Sequence, residues 1–369
     1  MGKRFGNGGV NMQGNNNKIE VRELKKEEYK IWDELVDLSP HGTIFHKSFW
    51  LTTCSELLNK KLKIYGYFEN DQLVGGCSLY IYKLKRFFKM ASSTIEMTPY
   101  GGIVLVPSPS SKVREREKMY RDIIKSLCNA FDNEHFDYIQ ITNSPDFVDI
   151  RPFTWNGWDS KIHYAYYLIL EYEIEKSISK KARNIIRKAI KNNITVHKLN
   201  DPSIFHNLFL MTFKRQNLNP PVTREFLEKI IGLLKSKDTG EMWIAETPSG
   251  EAASAEIVIW DNKRAYRWSA ASHTDFKNTG ATSLLLYEIF QDLKNRGFKE
   301  IDLMAANTPQ LAKFISSFNP ELVPYYSVER KTNLIKIGRN IYEMIKRCGE
   351  QGLWGAPLKV DTKLRKKKK

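Results

Sequence analysis

The sequence predicts an α+β fold made of two tandem copies of one unit, each a mixed, largely antiparallel sheet flanked by helices. Three observations predict it. Two distant stretches share a strand–turn–strand pattern, Lys63–Tyr80 around Asn70-Asp71 and Met242–Ile259 around Ser249-Gly250. Each is followed by a helix of similar length, Lys118–Asn129 and Ser283–Asn295. Each helix leads to a β run, Phe136–Thr142 and Phe298–Met304, then to another, Tyr164–Leu170 and Pro324–Glu329. A repeat of this size implies two copies of one domain with a ligand-gathering cleft between them.

The elements follow in order. Residues 1–17, rich in Gly and Asn, are expected to be disordered. Residues 18–168 form the first domain, to which 325–345 can return; 169–324 form the second; 346–369 are a basic C-terminal tail. The first domain opens with a strand at Ile19–Glu23, a helix over Lys26–Leu38, and a second helix over Ser48–Leu58 with Ser48 as a candidate N-cap. Tyr100-Gly101-Gly102 precedes an apolar run to Val106; the glycine pair either lets backbone approach closely or turns a strand. Pro107–Lys112 is a loop before the long helix.

Between the copies lies an amphipathic helix, Lys180–Lys191. Ala182, Ile185, Ile186, Ala189 and Ile190 make one apolar stripe at helical spacing. Lys180, Arg187, Lys188 and Lys191 share the polar face, with Arg183 at its flank. No acid within the helix offsets these cations, so the face is either simply solvated or a wall for phosphates. A further helix, His206–Lys214, ends at Arg215 beside the Pro220-Pro221 break, a setting for a ligand-gripping arginine.

The chain has 369 residues and a net charge of +16, from 58 basic and 42 acidic residues. That excess points to an anionic partner: nucleic acid, a phosphorylated substrate or a membrane surface. The run Lys363–Lys369 supplies part of it, as a solvated tail or a weak contact with anionic membrane, and the body remains basic without it. No stretch has the roughly 18 apolar residues of a membrane span, and no apolar core marks a signal peptide. Cys54, Cys77, Cys128 and Cys348 lack metal-ligand spacing and read as reduced thiols, which implies a cytoplasmic protein.

Dinucleotide, P-loop, zinc-protease and serine-hydrolase motifs are absent, and the histidines show no ligand spacing, so no metal is expected. General acid–base and electrostatic chemistry remain. Glu256 and Asp302, on strands of the second copy, are the candidate catalytic acids. The segment Lys277-Asn-Thr-Gly280-Ala281-Thr282-Ser283 opens a helix after a strand. Its backbone amides and helix dipole, with Thr282 or Ser283 as cap, suit an anion, though ordinary capping looks the same. Tyr266 and Trp268 share one face of the preceding strand and either stack a ligand or pack in the core.

Over residues 19–330 the chain resembles the GNAT superfamily, and within it the Fem-type tandem-GNAT aminoacyltransferases and their acetyltransferase-like relatives. The carrying segments are Gly42–Trp50, Tyr100-Gly101-Gly102, Lys181–Lys188, Thr212–Arg215, Tyr266–Ser272, Gly280-Ala281 and Ile301-Asp302-Leu303. The resemblance implies an N-acyltransferase using aminoacyl-tRNA or acyl-CoA as co-substrate. It would act on an amine of a phosphorylated cell-envelope precursor, at the inner face of the membrane. It implies substrate contacts at Lys47, Trp50, Arg215 and Tyr266; Tyr100, Arg183, Arg187 and Trp268 complete the candidate substrate-binding set, and Lys277 and Gly280–Ser283, a partial match to the family's pyrophosphate loop, are the candidate donor-binding residues. The chain departs from the family at Phe314-Ile-Ser-Ser-Phe318, where Ile315 stands in place of a lysine. A non-catalytic basic protein that binds RNA or a membrane surface on the same scaffold is the alternative.

Overall fold

The computed structural model describes residues 18–85, 87–304 and 306–332. The expected disorder of 1–17, the returning residues 333–345, the basic tail 346–369 and Cys348 lie outside them.

The first half runs β1 (Ile19–Glu23), α1 (Tyr29–Leu38), α2 (Ser48–Leu57), β2 (Lys61–Glu69), β3 (Gln72–Leu84), β4 (Phe88–Ser92), β5 (Gly102–Leu105), α3 (Val113–Asn133), β6 (Tyr138–Thr142), α4 (Arg151–Thr154) and β7 (Asp159–Ile169). The second runs α5 (Ile174–Ser177), α6 (Lys180–Lys191), β8 (Thr195–Lys198), α7 (Pro202–Arg215), α8 (Arg224–Lys237), β9 (Gly240–Glu246), β10 (Ala252–Trp260), β11 (Ala265–Ser272), α9 (Ala281–Asn295), β12 (Glu300–Asp302), α10 (Pro309–Ile315) and β13 (Glu321–Lys331). The duplicated hairpins are β2–β3 and β9–β10, and the paired helices are α3 and α9.

The thirteen strands of the described residues join one sheet in the order β1-β2-β3-β4-β6-β13-β7-β12-β11-β10-β9-β8, with β5 on β3. Pairing is antiparallel except at β4–β6 and β11–β12, where the crossovers through α3 and α9 make parallel neighbours. Last strands are exchanged between the halves. β7, from the first, pairs with β12; β13, from the second, pairs with β6; and the two pair with each other from Glu321↔Tyr167 to Glu329↔Asp159.

Helices cover both faces. On one, α1, α2, α7 and α8 bury a single apolar cluster running from Trp32 and Trp50 to Phe226 and Trp268 across both halves. On the other, α3 covers the first half and α9 with α6 the second. Three tryptophans are fully buried with their indole N–H groups satisfied: Trp32 donates to the His46 carbonyl (2.7 Å), Trp50 to Thr98 Oγ1 (3.0 Å), Trp268 to the Met97 carbonyl (2.7 Å). The expected cleft between copies is therefore filled on this face. Aromatic side chains from both halves offer more area to each other than to solvent.

Some local expectations are corrected. Lys47, not Ser48, holds the N-cap position of α2, because Asp33 takes both the Ser48 amide and hydroxyl at 2.6 Å. Both long helices start earlier than polarity suggested, α3 by five residues and α9 by two. Ile190 of the α6 stripe is exposed, since Ala182, Ile186 and Ala189 make the contact. Cys54, Cys77 and Cys128 are buried and free. Among the described residues no helix is long and apolar enough to cross a membrane.

The glycine pair after Tyr100 serves close approach. Beyond Ser92 the β4–β6 ladder ends, and Gly101 re-enters the gap to bridge Asn143. A Cβ on Gly101 would lie 2.1 Å from the Ser93 carbonyl oxygen, and Gly102 has φ +91° with its Cβ direction blocked by Asn143 Oδ1 at 2.4 Å. Gly101→Ala should thus cost at least about 2 kcal/mol in denaturant unfolding, through strain. Gly232→Ala, in open space within α8, should instead stabilise by about 0.5–1 kcal/mol. Equal effects would refute the close approach.

Candidate active site

The site begins with a slip in register. Between Ile257/Ser269 and Val258/Arg267, β11 carries one residue more than β10, so Trp268 is a bulge. A bulge bends its strand and re-aims the backbone. β11 then parts from β12, its parallel neighbour only at Ala265↔Ile301 and Tyr266↔Asp302. From Arg267 to Ser272 it pairs with β10 alone, and among the described residues its other edge has no strand partner. The matching gap in the first half is the one that Gly101 closes.

At the head of this opening a loop leads into α9. Gly280 takes the N-cap position with φ +88°, and a Cβ there would meet the Ile185 carbonyl of α6 at 2.7 Å. The loop is thus pressed on the basic helix, and Lys188 Nζ reaches the Asn278 carbonyl at 3.4 Å. Thr279 Oγ1 accepts from the Ala281 amide (3.2 Å). Neither Thr282 nor Ser283 caps the helix: Thr282 bonds Ser254 Oγ (3.0 Å) and Ser283 is buried, because the left-handed glycine turns both into the helix body. Of the first-turn amides, Ala281 donates to Thr279 and Ser283 to the Gly280 carbonyl (3.0 Å), and all lie at the positive end of a fifteen-residue helix. Lys277 is exposed on the loop. Across the opening Arg215, the last residue of α7, donates to the Ser272 carbonyl (3.4 Å) and hydroxyl (3.2 Å). Exposed cations from three elements thus surround residues 272–281.

The other predicted residues divide. Arg183 is an anchor, its guanidinium holding the carbonyls of Ile178 (2.6 Å) and Glu175 (3.1 Å). Arg187 is exposed and meets Glu175 at 3.4 Å, an acid from outside the helix. Lys47 is tied to Asp37 (2.5 Å) and the Asp33 carbonyl (3.1 Å). Trp50, Tyr100, Tyr266 and Trp268 lie together, each at most 1% exposed. Phe45 joins Trp50, Tyr100 and Tyr266 edge-on at 5.1–6.0 Å, and Trp50 meets Trp268 at 5.4 Å. They are the core of the junction, and no substrate touches them in this conformation.

The two acids are also enclosed. Glu256 is fully buried, with Arg267 bonded to both oxygens at 2.6 and 2.9 Å; burial raises its pKa against the pull of that guanidinium. This neighbouring-strand pair is structural, since no acceptor can reach the carboxylate. Asp302 sits at the root of the opening. The Tyr100 hydroxyl donates to Oδ2 (2.8 Å) and the Met304 amide to Oδ1 (2.7 Å), and burial lifts its pKa to about 7. It couples the halves and lies out of solvent's reach.

Three polar residues went unforeseen. Lys263 Nζ binds the carbonyls of Ser39 (2.6 Å) and Gly42 (2.5 Å) just after α1. Asp261 accepts from the Ile44 amide (2.9 Å) and the Tyr266 hydroxyl (2.7 Å). Arg264 joins Asp146 (3.1 Å), Glu300 (2.9 Å) and the Tyr167 hydroxyl. The only trace in sequence is the charged turn Asp261-Asn-Lys-Arg264, which looks like any solvated hairpin tip. At 315, the family's lysine position, Ile315 is fully buried against α9. The neighbouring Lys313 is exposed.

The family model for the acetyltransferase (GNAT) domain matches residues 180–310. These residues resemble a GNAT domain. The bulged, parting β11 and the loop into α9 both lie within it. A search of curated proteins found no match. Among solved structures, the chain is similar to FemX at 13% identity and TM-score 0.65, over 86% of this chain and 99% of that one. It is similar to a tandem GNAT protein from the clavulanic acid biosynthesis pathway at 12% identity and TM-score 0.50, over 85% and 98%. It is also similar to the C-terminal domain of a putative lysylphosphatidylglycerol synthetase from Agrobacterium fabrum at 11% and 0.55, over 86% and 96%. At these identities the likeness is one of fold, and the fold is the Fem-like tandem GNAT arrangement that the sequence implied.

The raised pKa of Asp302 has a measurable sign. Between its ordinary value near 3.8 and about 7, the folded state keeps a proton that the unfolded chain has released. This group's stabilisation is therefore complete below about pH 4 and lost as pH rises to about 7, by at most about 1.4 kcal/mol per pH unit. Buried His41, His46 and His163, depressed by burial to about 4, act in the opposite sense over part of the window. The readout is thus the difference between two proteins. Unfolding free energy should fall more steeply from pH 4 to 7 in the parent than in Asp302→Asn; parallel profiles would remove the assignment.

Proposed function

We propose that this chain is an N-acyltransferase that moves an aminoacyl or acetyl group, carried by aminoacyl-tRNA or acyl-CoA, to an amine of a cell-envelope precursor. The observation that carries this reading is the opening in the GNAT domain, where an unpartnered strand edge lies beside an anion-suited helix start and Lys188, Lys277 and Arg215. Phosphates of the donor would lie on the first turn of α9, held by these cations. The acyl group would lie along the free edge of β11, whose amides would polarise the carbonyl as the amine attacks. The tetrahedral intermediate would collapse by breaking the bond to the thiol of coenzyme A or to the ribose oxygen of tRNA. With Glu256 and Asp302 enclosed, the amine's proton would leave to solvent or to a phosphate of the precursor.

One observation favours the non-catalytic alternative: Ile315 is core where the resemblance leads one to expect a cation. A protein of that kind would bind anions without turning over a donor.

Calorimetry with acetyl-CoA and with charged tRNA tests both readings. Arg215→Ala should weaken the true donor more than tenfold, about 1.4 kcal/mol or more. For tRNA the affinity should fall steeply with salt, and for coenzyme A only gently, because fewer phosphates are engaged. Unchanged affinity in Arg215→Ala would make that arginine structural, and binding to neither donor would overturn the proposal.

A further inference from the structure

The β3–β4 hairpin outruns the sheet. β2 follows β3 only as far as Lys61↔Ile81, and β6 joins β4 only from Tyr138↔Met90. Beyond these points the hairpin is a two-stranded finger, paired at Lys83↔Lys89 and Leu84↔Phe88. Apolar side chains crowd it: Tyr82, Leu84 and Phe88 pack partly buried on Met90 and Tyr138, while Phe87 at the tip is 86% exposed. Lys83 and Lys85 are exposed beside Phe87, and no acid among the described residues pairs with either. The acids at the base are occupied, Glu134 by Lys63 (2.5 Å) and Lys89 (2.9 Å), and Glu329 by Lys331 (2.6 Å). From Tyr80 to Met90 the sequence has no acidic residue.

The chain also leaves β13 at this base. Lys331 pairs with Tyr138, the Thr332 amide donates to the Asp137 carbonyl (2.9 Å), and Asp137 Oδ2 accepts from the Lys89 amide (2.8 Å). Residues 333–369 therefore start beside the finger, and they hold eleven lysines and arginines against three acids. Half of the chain's net charge thus enters at the foot of an apolar-tipped, cation-flanked hairpin.

We propose that this finger docks the protein on an anionic phospholipid bilayer. Phe87 enters the headgroup boundary, and Lys83 and Lys85 lie at the level of the lipid phosphates. A lipid surface fits better than RNA. A two-stranded finger offers no broad platform for stacked bases, and Leu84 beside Phe87 supplies aliphatic area that a bilayer takes up and a nucleic acid does not. This inference is independent of the transfer chemistry.

Co-sedimentation of the full chain with vesicles tests it, using phosphatidylcholine alone or mixed with phosphatidylglycerol. The parent should bind the mixed vesicles, weaken with salt, and ignore phosphatidylcholine. Phe87→Ser, and separately Lys83→Glu with Lys85→Glu, should each lower the vesicle partition about tenfold while leaving thermal unfolding unchanged, since these side chains are exposed. Parent-like partition in both variants would overturn the proposal, as would a parent that binds neither vesicle. Variants that lose affinity for a single-stranded RNA oligonucleotide but keep vesicle binding would reassign the finger to RNA.

Discussion

The antiparallel seam between β7 and β13 is the constraint on which the rest of the molecule depends. Each strand comes from one half and completes the sheet of the other, so neither half can close its own sheet. Non-local pairings of this kind give nothing until both ends of the chain are in place. Once made, they fix how the halves lie against each other. The aromatic cluster around Phe45, the Tyr100–Asp302 contact and the Arg264 ion pairs all lie across or beside this seam. Glu300, Ile301 and Asp302 are the only residues of β12, held by β7 on one side and β11 on the other. A strand so short cannot accompany β11 beyond Tyr266, and the opening follows.

The two copies have the same plan and opposite outcomes at that place. In the first, Gly101 and Gly102 let the chain double back to Asn143 and close the gap. In the second, Gly280 serves a loop pressed on α6, and the strand edge stays free. One residue type allows close approach in both, but what approaches differs: the chain's own backbone in one, a basic helix in the other. The asymmetry agrees with a donor bound by the second copy, whereas the first contributes packing across the seam.

Much of this was legible in the sequence because it is local. Alternating apolar residues around Asn70-Asp71 and Ser249-Gly250 set the hairpins, and the stripe Ala182–Ile186–Ala189 set α6 and its buried face. Order of motifs, rather than any one of them, carried the fold. What escaped depends on partners far away in the chain. Glu256 looks like any strand acid until Arg267 is found beside it, and Trp268 suits a ligand or the core until it is seen against Trp50. The bulge at Trp268 leaves no mark in composition, being a difference in length between two paired strands. Thr282 and Ser283 suit a helix cap by type, and only the left-handed Gly280 shows that the cap lies earlier.

The central claim is that donor phosphates and acyl group occupy the opening of the GNAT domain. Amide hydrogen exchange, with and without coenzyme A or charged tRNA, tests it most directly, because it reports where a ligand orders the backbone whether or not turnover occurs. The account predicts slower exchange in the β11 edge, the loop into α9 and the first turn of that helix, with the same change along the exposed face of α6. Protection confined to the first half, or absent from residues 267–284 while ligand is bound, would contradict it.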